Sequence, residues 1–245
     1  MVKLLATIWD PSEVEDAVEG GADIIDVKDP SRGSLGTPEF SVLHRVLGEK
    51  PRGREVSVAL GDHRVYNPLI PYSVYTASAL GADYVKIGLE TGSFSEALRI
   101  AREAVNAAAR AGYARVVLVG YADYKLVGSI EPMLVVRVAV EAGADYAMID
   151  TRVKNGVDTI RHLGISYLEE FVKEAHSSGV KTAVAGSLRI EHADRLASIG
   201  FDVIGFRTAL CVGGRLGRLS RELVRRAKTI ISSPRNNCAT ARITL

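Results

Sequence analysis

The sequence predicts an α/β fold built as a single (β/α)8 TIM barrel, and three observations carry that prediction. Strand-length apolar runs alternate with helix-length amphipathic ones from end to end, the pattern of a parallel sheet with crossover helices. Eight such units fit in the 245 residues, and no Gly-x-Gly-x-x-Gly of a doubly wound dinucleotide fold follows the first strand. A Gly-x-Asp turn also recurs, at Gly21-Ala22-Asp23, Gly81-Ala82-Asp83, Gly143-Ala144-Asp145 and Gly200-Phe201-Asp202. Its period of roughly 60 residues is twice a βα unit, so it marks every second strand.

The expected strands are 3–8, 23–28, 55–60, 83–88, 115–120, 145–150, 181–185 and 202–207. The first is an apolar run closed at once by Asp10-Pro11, shorter than a secretory leader requires. The second, fourth, sixth and eighth each begin in a Gly-x-Asp turn. Those glycines follow helices, where the left-handed C-cap conformation disfavours a side chain, so the turns read as helix ends on the bottom rim. Helices are clearest at Phe94 to Ala111, rich in alanine, and at Ile165 to Ser178, where Ser166 is expected to cap and Glu169 to complete a capping box. Beyond Ile231 the chain turns polar and loses its period. The expected organisation is therefore one barrel over 1–231 and a poorly ordered tail over 232–245.

Composition narrows the function. Hydrophobic residues make up 47% and charged residues 24%, an ordinary globular balance. The net charge is +2, and the one basic concentration, Arg215 to Arg226, reads as a solvated face of the last helix, so no nucleic-acid partner is expected. Cys211 and Cys238 are too few for a disulfide framework and lack metal-ligand spacing. No run approaches the roughly 18 apolar residues of a membrane span. The expectation is a cytoplasmic homo-oligomer, off the membrane, acting on a small molecule.

Charge placement points to the chemistry. Counted from the Asp of each turn, Asp26, Lys28, Lys86, Asp150 and Arg207 all stand three or five positions on. Odd offsets share one face of a strand, and that face turns inward in a closed barrel. The layer rule then puts Asp26 with Lys86, and Lys28, Asp150 and Arg207 one layer higher at the C-terminal mouth. Buried charge costs several kcal/mol, roughly, unless partners or a ligand compensate. Two inward lysines beside two carboxylates suit imine chemistry on a carbonyl, because a lysine attacks only as the free amine, and desolvation or a neighbouring cation lowers its pKa. The plainer reading is a salt bridge from each lysine to Asp26 or Asp150.

The loops after strands seven and eight carry Gly186 and Ser187, then Gly205 and Arg207, then Gly213 and Gly214. Loops at these places commonly hold phosphate through backbone N–H groups and a cation, although Gly-Ser is also an ordinary turn. Lys125 and Lys154 follow strands five and six, either lining the pocket or solvated. His63 with Asp26, Asp62 and Asp150 is an alternative divalent-metal set, disfavoured because only one histidine lies near a strand end.

These residues resemble a known family. Gly21-Ala22-Asp23-Ile24-Ile25-Asp26-Val27-Lys28-Asp29-Pro30, closing with Gly33-Ser34-Leu35-Gly36, is similar to the signature of the (5-formylfuran-3-yl)methyl phosphate synthases of methanofuran biosynthesis. Further likeness lies in Ala82 to Gly88, Asp123-Tyr124-Lys125, Met148 to Thr151 with Lys154 and Gly156, and Ala185 to Leu188. The similarity runs the whole chain except the tail. It implies a (β/α)8 lyase that joins two molecules of glyceraldehyde 3-phosphate and expels water and one phosphate, without metal or organic cofactor. It also implies Lys28 as the Schiff-base lysine, Lys86 as the proton carrier, and Asp26, Lys125, Asp150 and Lys154 as further site residues. In the expected order of steps, an enamine at Lys28 attacks the second aldehyde, and elimination and dehydration close the furan. The chain departs from the family pattern at Thr208, at Arg215 after Gly213-Gly214, and from His63 to Pro71. A Schiff-base aldolase for another phosphorylated aldehyde and a silent phosphometabolite-binding barrel are the competing readings.

Overall fold

The computed structural model describes residues 1–112 and 114–233. Eight parallel strands close into a barrel in chain order: β1 (Lys3–Ile8), β2 (Ile24–Val27), β3 (Glu55–His63), β4 (Tyr84–Leu89), β5 (Arg115–Tyr121), β6 (Tyr146–Asp150), β7 (Lys181–Val184) and β8 (Val203–Phe206), with β8 pairing back to β1. The connecting helices are α1 (Val14–Glu19), α2 (Phe40–Gly48), α3 (Leu69–Ala79), α4 (Phe94–Ala111), α5 (Tyr124–Val127) and α6 (Pro132–Ala142). After β6 come α7 (Thr159–Leu163) and α8 (Ile165–Ser177), and after β7 comes α9 (Ala193–Ile199). A small antiparallel hairpin, β9 (Cys211–Val212) with β10 (Arg218–Leu219), follows β8, and α10 (Arg221–Ser232) closes the fold. All eight expected strands are present.

Alternation along each strand splits the apolar residues into two cores. Leu5, Ile24, Val117, Met148 and Val203 fill the barrel, whereas Leu4, Ile25, Val85, Leu118 and Ile204 face the helices. The recurring aspartates do more than end helices. Asp23, Asp83, Asp145 and Asp202 accept the backbone N–H of Leu4, Val56, Val116 and Thr182 at 2.7, 2.6, 2.8 and 2.8 Å. Each carboxylate thus ties the start of its own strand to the strand before it, satisfying an N–H that the ladder leaves open.

Three expectations change. The capping box at Ser166 does not form, because α7 ends at Gly164 and that glycine, at φ +79°, is also the N-cap of α8 with no side-chain bond. The basic run from Arg215 to Arg226 is not one helix face, since Arg215 and Arg218 belong to the hairpin and α10 starts at Arg221. The last helix continues to Ser232, the first residue of the expected tail over 232–245, and residues 234–245 of that tail lie outside the described residues.

Candidate functional site

At the C-terminal ends of the strands lies a cavity of about 320 Å³, reached by Asp26, Lys28, Lys86, Asp150 and Lys154 on one side and by Gly186, Ser187, Gly205 and Arg207 on the other. The odd-offset residues therefore do converge, and each is placed by local sequence. β2 ends at Val27, and Lys28 directly after it is held between the Ile8 carbonyl, which its N–H bonds at 3.0 Å, and the Asp29-Pro30 turn, where the Asp29 carboxylate accepts the Ser31 N–H at 2.9 Å. Lys28 is thereby fixed at the inner edge of the mouth.

Lys28 is buried, and its amine has no hydrogen-bond or ion-pair partner among the described residues. Burial is the largest influence and lowers its pKa to about 7; Asp150 and Asp26 act against that, and the charges of Lys86 and Lys154 reinforce it. Desolvation, more than the second lysine, is what frees this amine.

Lys86 stands 2.6 Å from Asp26 Oδ1, and both side chains are almost completely enclosed. The contact is an ion pair without an aligned hydrogen bond, so Oδ1 has no directed donor, whereas Oδ2 accepts the Thr7 hydroxyl at 2.9 Å. Asp150 is held differently. Its Oδ1 accepts the Lys154 ammonium at 2.6 Å and the Thr151 N–H at 2.7 Å. Burial raises the Asp150 pKa, but the charges of Lys154 and Lys28 with these hydrogen bonds more than offset it, bringing the value down to about 2. Among the described residues the site thus holds one unpaired amine, one deep ion pair and one carboxylate whose charged form its neighbours favour.

Across the mouth, Gly186 and Ser187 both adopt positive φ, +99° and +52°. A Cβ on Gly186 would collide with Thr159 and Thr151, so only glycine lets the loop lie this close. Among the described residues no acceptor meets the N–H groups of Gly186, Ser187 and Leu188, which leaves them for an anion.

Other expected site residues are used otherwise. Arg207 lines the cavity, yet all five of its N–H donors are engaged: with Arg215 O at 3.1 Å, Thr7 O at 3.0 Å, Glu13 Oε2 at 2.8 Å, Glu13 Oε1 at 3.1 Å and Gly217 O at 2.7 Å. It clamps the hairpin to β1 and has no donor left for phosphate. We accordingly expect Arg207→Ala, which strands buried Glu13, to lower stability by about 3–5 kcal/mol. A urea midpoint at the wild-type value would refute that role. Gly213 and Gly214, at φ +86° and +82°, make the hairpin turn and do not line the cavity. Lys125 is exposed on α5, over the Tyr124 ring, and is not brought to the site. In that loop it is Asp123 that contributes, accepting the N–H groups of Arg152 and Val153 at 2.7 Å each and so shaping the turn that carries Lys154.

The alternative metal set is not assembled either. Asp62 accepts the Tyr121 hydroxyl at 2.5 Å and the N–H groups of Ser34 and Leu35 at 3.0 and 3.2 Å, holding the loop after β2. His63 bonds the Leu60 carbonyl, and no group of three or more His, Cys, Asp or Glu suited to a metal occurs among the described residues. Gly88 makes the Asp62 anchor possible, because a Cβ there would strike the Tyr121 hydroxyl. Sequence reasoning missed Thr7 and Arg189, which line the cavity, and Glu13, which occupies Arg207; it named Asp62 only as pocket lining or a metal ligand and Arg215 only as a departure from the family pattern. Arg215, beside a Gly-Gly turn, stood next to a visible signal.

Residues 4–228 match the profile of a family described as 4-HFC-P synthase. A (5-formylfuran-3-yl)methyl phosphate synthase of Methanothermobacter thermautotrophicus is 42% identical over 233 residues, covering 94% of this chain and 99% of that protein. One from Methanocaldococcus jannaschii is 38% identical over 231 residues, covering 93% and 98%. Among solved structures, 3-hexulose-6-phosphate synthase from Salmonella typhimurium aligns with a TM-score of 0.65 at 20% identity, covering 94% of this chain and 98% of that one, a likeness of fold alone.

Proposed function

The chain belongs to the 4-HFC-P synthase family, and we propose that it is the lyase that condenses two molecules of glyceraldehyde 3-phosphate on Lys28 to (5-formylfuran-3-yl)methyl phosphate, an early step of methanofuran biosynthesis. The observation that carries the reading is Lys28 itself: a buried amine, without a partner among the described residues and with a pKa of about 7, at the wall of a cavity that also offers N–H groups unmatched among those residues. Such an amine is nucleophilic at neutral pH.

The product's atoms dictate the order of bonds, and that order differs from an enamine attacking an aldehyde. Its phosphomethyl group sits on a ring carbon that must have been the central carbon of one triose, so the carbon attacked is a ketone. That triose reacts as its keto isomer, formed by moving a proton from C2 to C1. The other forms an imine at C1 with Lys28, releasing water. Loss of its C2 proton gives an enaminol, whose electrons expel the C3 phosphate and leave an enol with a nucleophilic C3.

Attack of C3 on the ketone, closure of the terminal hydroxyl onto C2, and two dehydrations give the furan. Hydrolysis of the imine then returns the water and frees the formyl group. The net change is two trioses to one furan aldehyde phosphate, one phosphate and two waters. In this scheme the Asp26–Lys86 pair, one layer beneath Lys28, moves the C2 proton. Lys154, held by Asp150, protonates departing oxygen.

The pH dependence tests the carrying observation. Because burial depresses the Lys28 pKa, the neutral amine predominates above about 7. Borohydride-trapped adduct is expected to form about tenfold more slowly per pH unit below that value and at a constant rate above it. A rate still climbing through pH 9 would mean an ordinary lysine, and no adduct at any pH would remove the imine.

A further inference from the structure

We propose that Arg215 is a second phosphate ligand, holding one triose phosphate on the β2 side of the mouth while the Gly186–Ser187 loop holds the other. The inference rests on the two-triose reading above but stands on separate geometry. The tip of the β9–β10 hairpin carries Arg215 over the cavity, and its backbone carbonyl is fixed by the Arg207 Nε–H. Its side chain reaches back across the mouth, donating from Nε to the Pro30 carbonyl at 3.2 Å and from Nη2 to the Gly33 carbonyl at 2.6 Å. Both acceptors lie in the loop that follows Lys28.

Two donors are thus spent on aiming the guanidinium, and the remaining three N–H groups have no acceptor among the described residues. No carboxylate comes within ion-pair distance of it there either; Asp150 and Asp62 influence it only from farther away, while burial lowers its pKa from the usual arginine value. An oriented, half-buried guanidinium at the cavity with no counter-ion among the described residues keeps a planar fork of unused donors, and such a fork matches the oxygens of a phosphate. Arg207, at the end of β8, shows the contrast, since its five donors are all occupied. A reaction on two phosphorylated trioses needs two anion sites, and the mouth offers two unlike ones on opposite walls.

Calorimetric titration with sn-glycerol 3-phosphate, which has no carbonyl to react, tests this directly. The wild-type chain is expected to take up two equivalents. In Arg215→Gln one of them weakens by roughly ten- to a hundredfold and the other is unchanged. Arg215→Lys, with the charge but not the fork, falls between. A wild-type chain that binds one equivalent, or a glutamine variant that binds two with wild-type affinities, overturns the proposal. Should the glutamine variant lose its cooperative thermal transition, the lysine variant decides, and unaltered two-site binding there is the overturning result. Failure of the imine reading shows separately, as absence of a borohydride adduct in the wild type, and leaves the titration valid.

Discussion

Lys28→Ala is expected to abolish the borohydride-trapped adduct with glyceraldehyde 3-phosphate and to cut product formation by more than about 10³-fold. The size follows from what the amine supplies. Without it the first triose is neither fixed nor activated, and a bimolecular proton abstraction replaces an intramolecular one. The fold is expected to survive, because burial already favours the neutral form of Lys28 and Asp150 keeps Lys154 as its partner. The loss would therefore be chemical, visible as near-wild-type thermal unfolding beside missing adduct mass. Retention of the full adduct in this variant would move the nucleophile elsewhere and end the mechanism proposed for Lys28.

Lys86→Ala is expected to separate binding from turnover and to destabilise the chain as well. Product formation falls about 10²- to 10⁴-fold, the range of a lost proton carrier, while some adduct on Lys28 persists. Asp26 is then left charged and buried, with only the Thr7 hydroxyl as donor, which costs about 3–5 kcal/mol. Two effects in one variant invite confusion, so the double variant Asp26→Asn with Lys86→Met is the control. It removes the stranded charge and is expected to regain most of the stability in urea unfolding but none of the turnover. Recovery of turnover along with stability would show the pair to be a structural plug.

The contrast between Arg207 and Lys28 explains how much of the site was legible in advance. Both were read from the same parity rule, and both do point inward at the mouth. Their availability differs for reasons no local pattern contains. Glu13, which occupies the Arg207 guanidinium, lies 194 positions away in a short turn with no chemical signature. The same holds for Arg215, whose aiming acceptors are backbone carbonyls of Pro30 and Gly33, and for Asp62, whose anchoring of the loop after β2 depends on a bulge in β3 and on Gly88 leaving room. Lys125 shows the opposite error, since a charged residue in a site-proximal loop still turned to solvent.

Alternation of side chains along a strand and the ending of helices at glycine are short-range properties, set by backbone geometry within a few residues. For that reason the sequence alone determined the eight strands, their inward face, and the convergence of Asp26, Lys86, Lys28 and Asp150 on one cavity, and hence the place of the candidate site. Whether an inward cation is free, paired or spent on the scaffold depends on acceptors and solvent exclusion contributed by distant segments. Only the tertiary structure could decide that Lys28 is buried without a partner among the described residues, that Arg207 is consumed, and that Arg215 keeps donors unmatched among those residues.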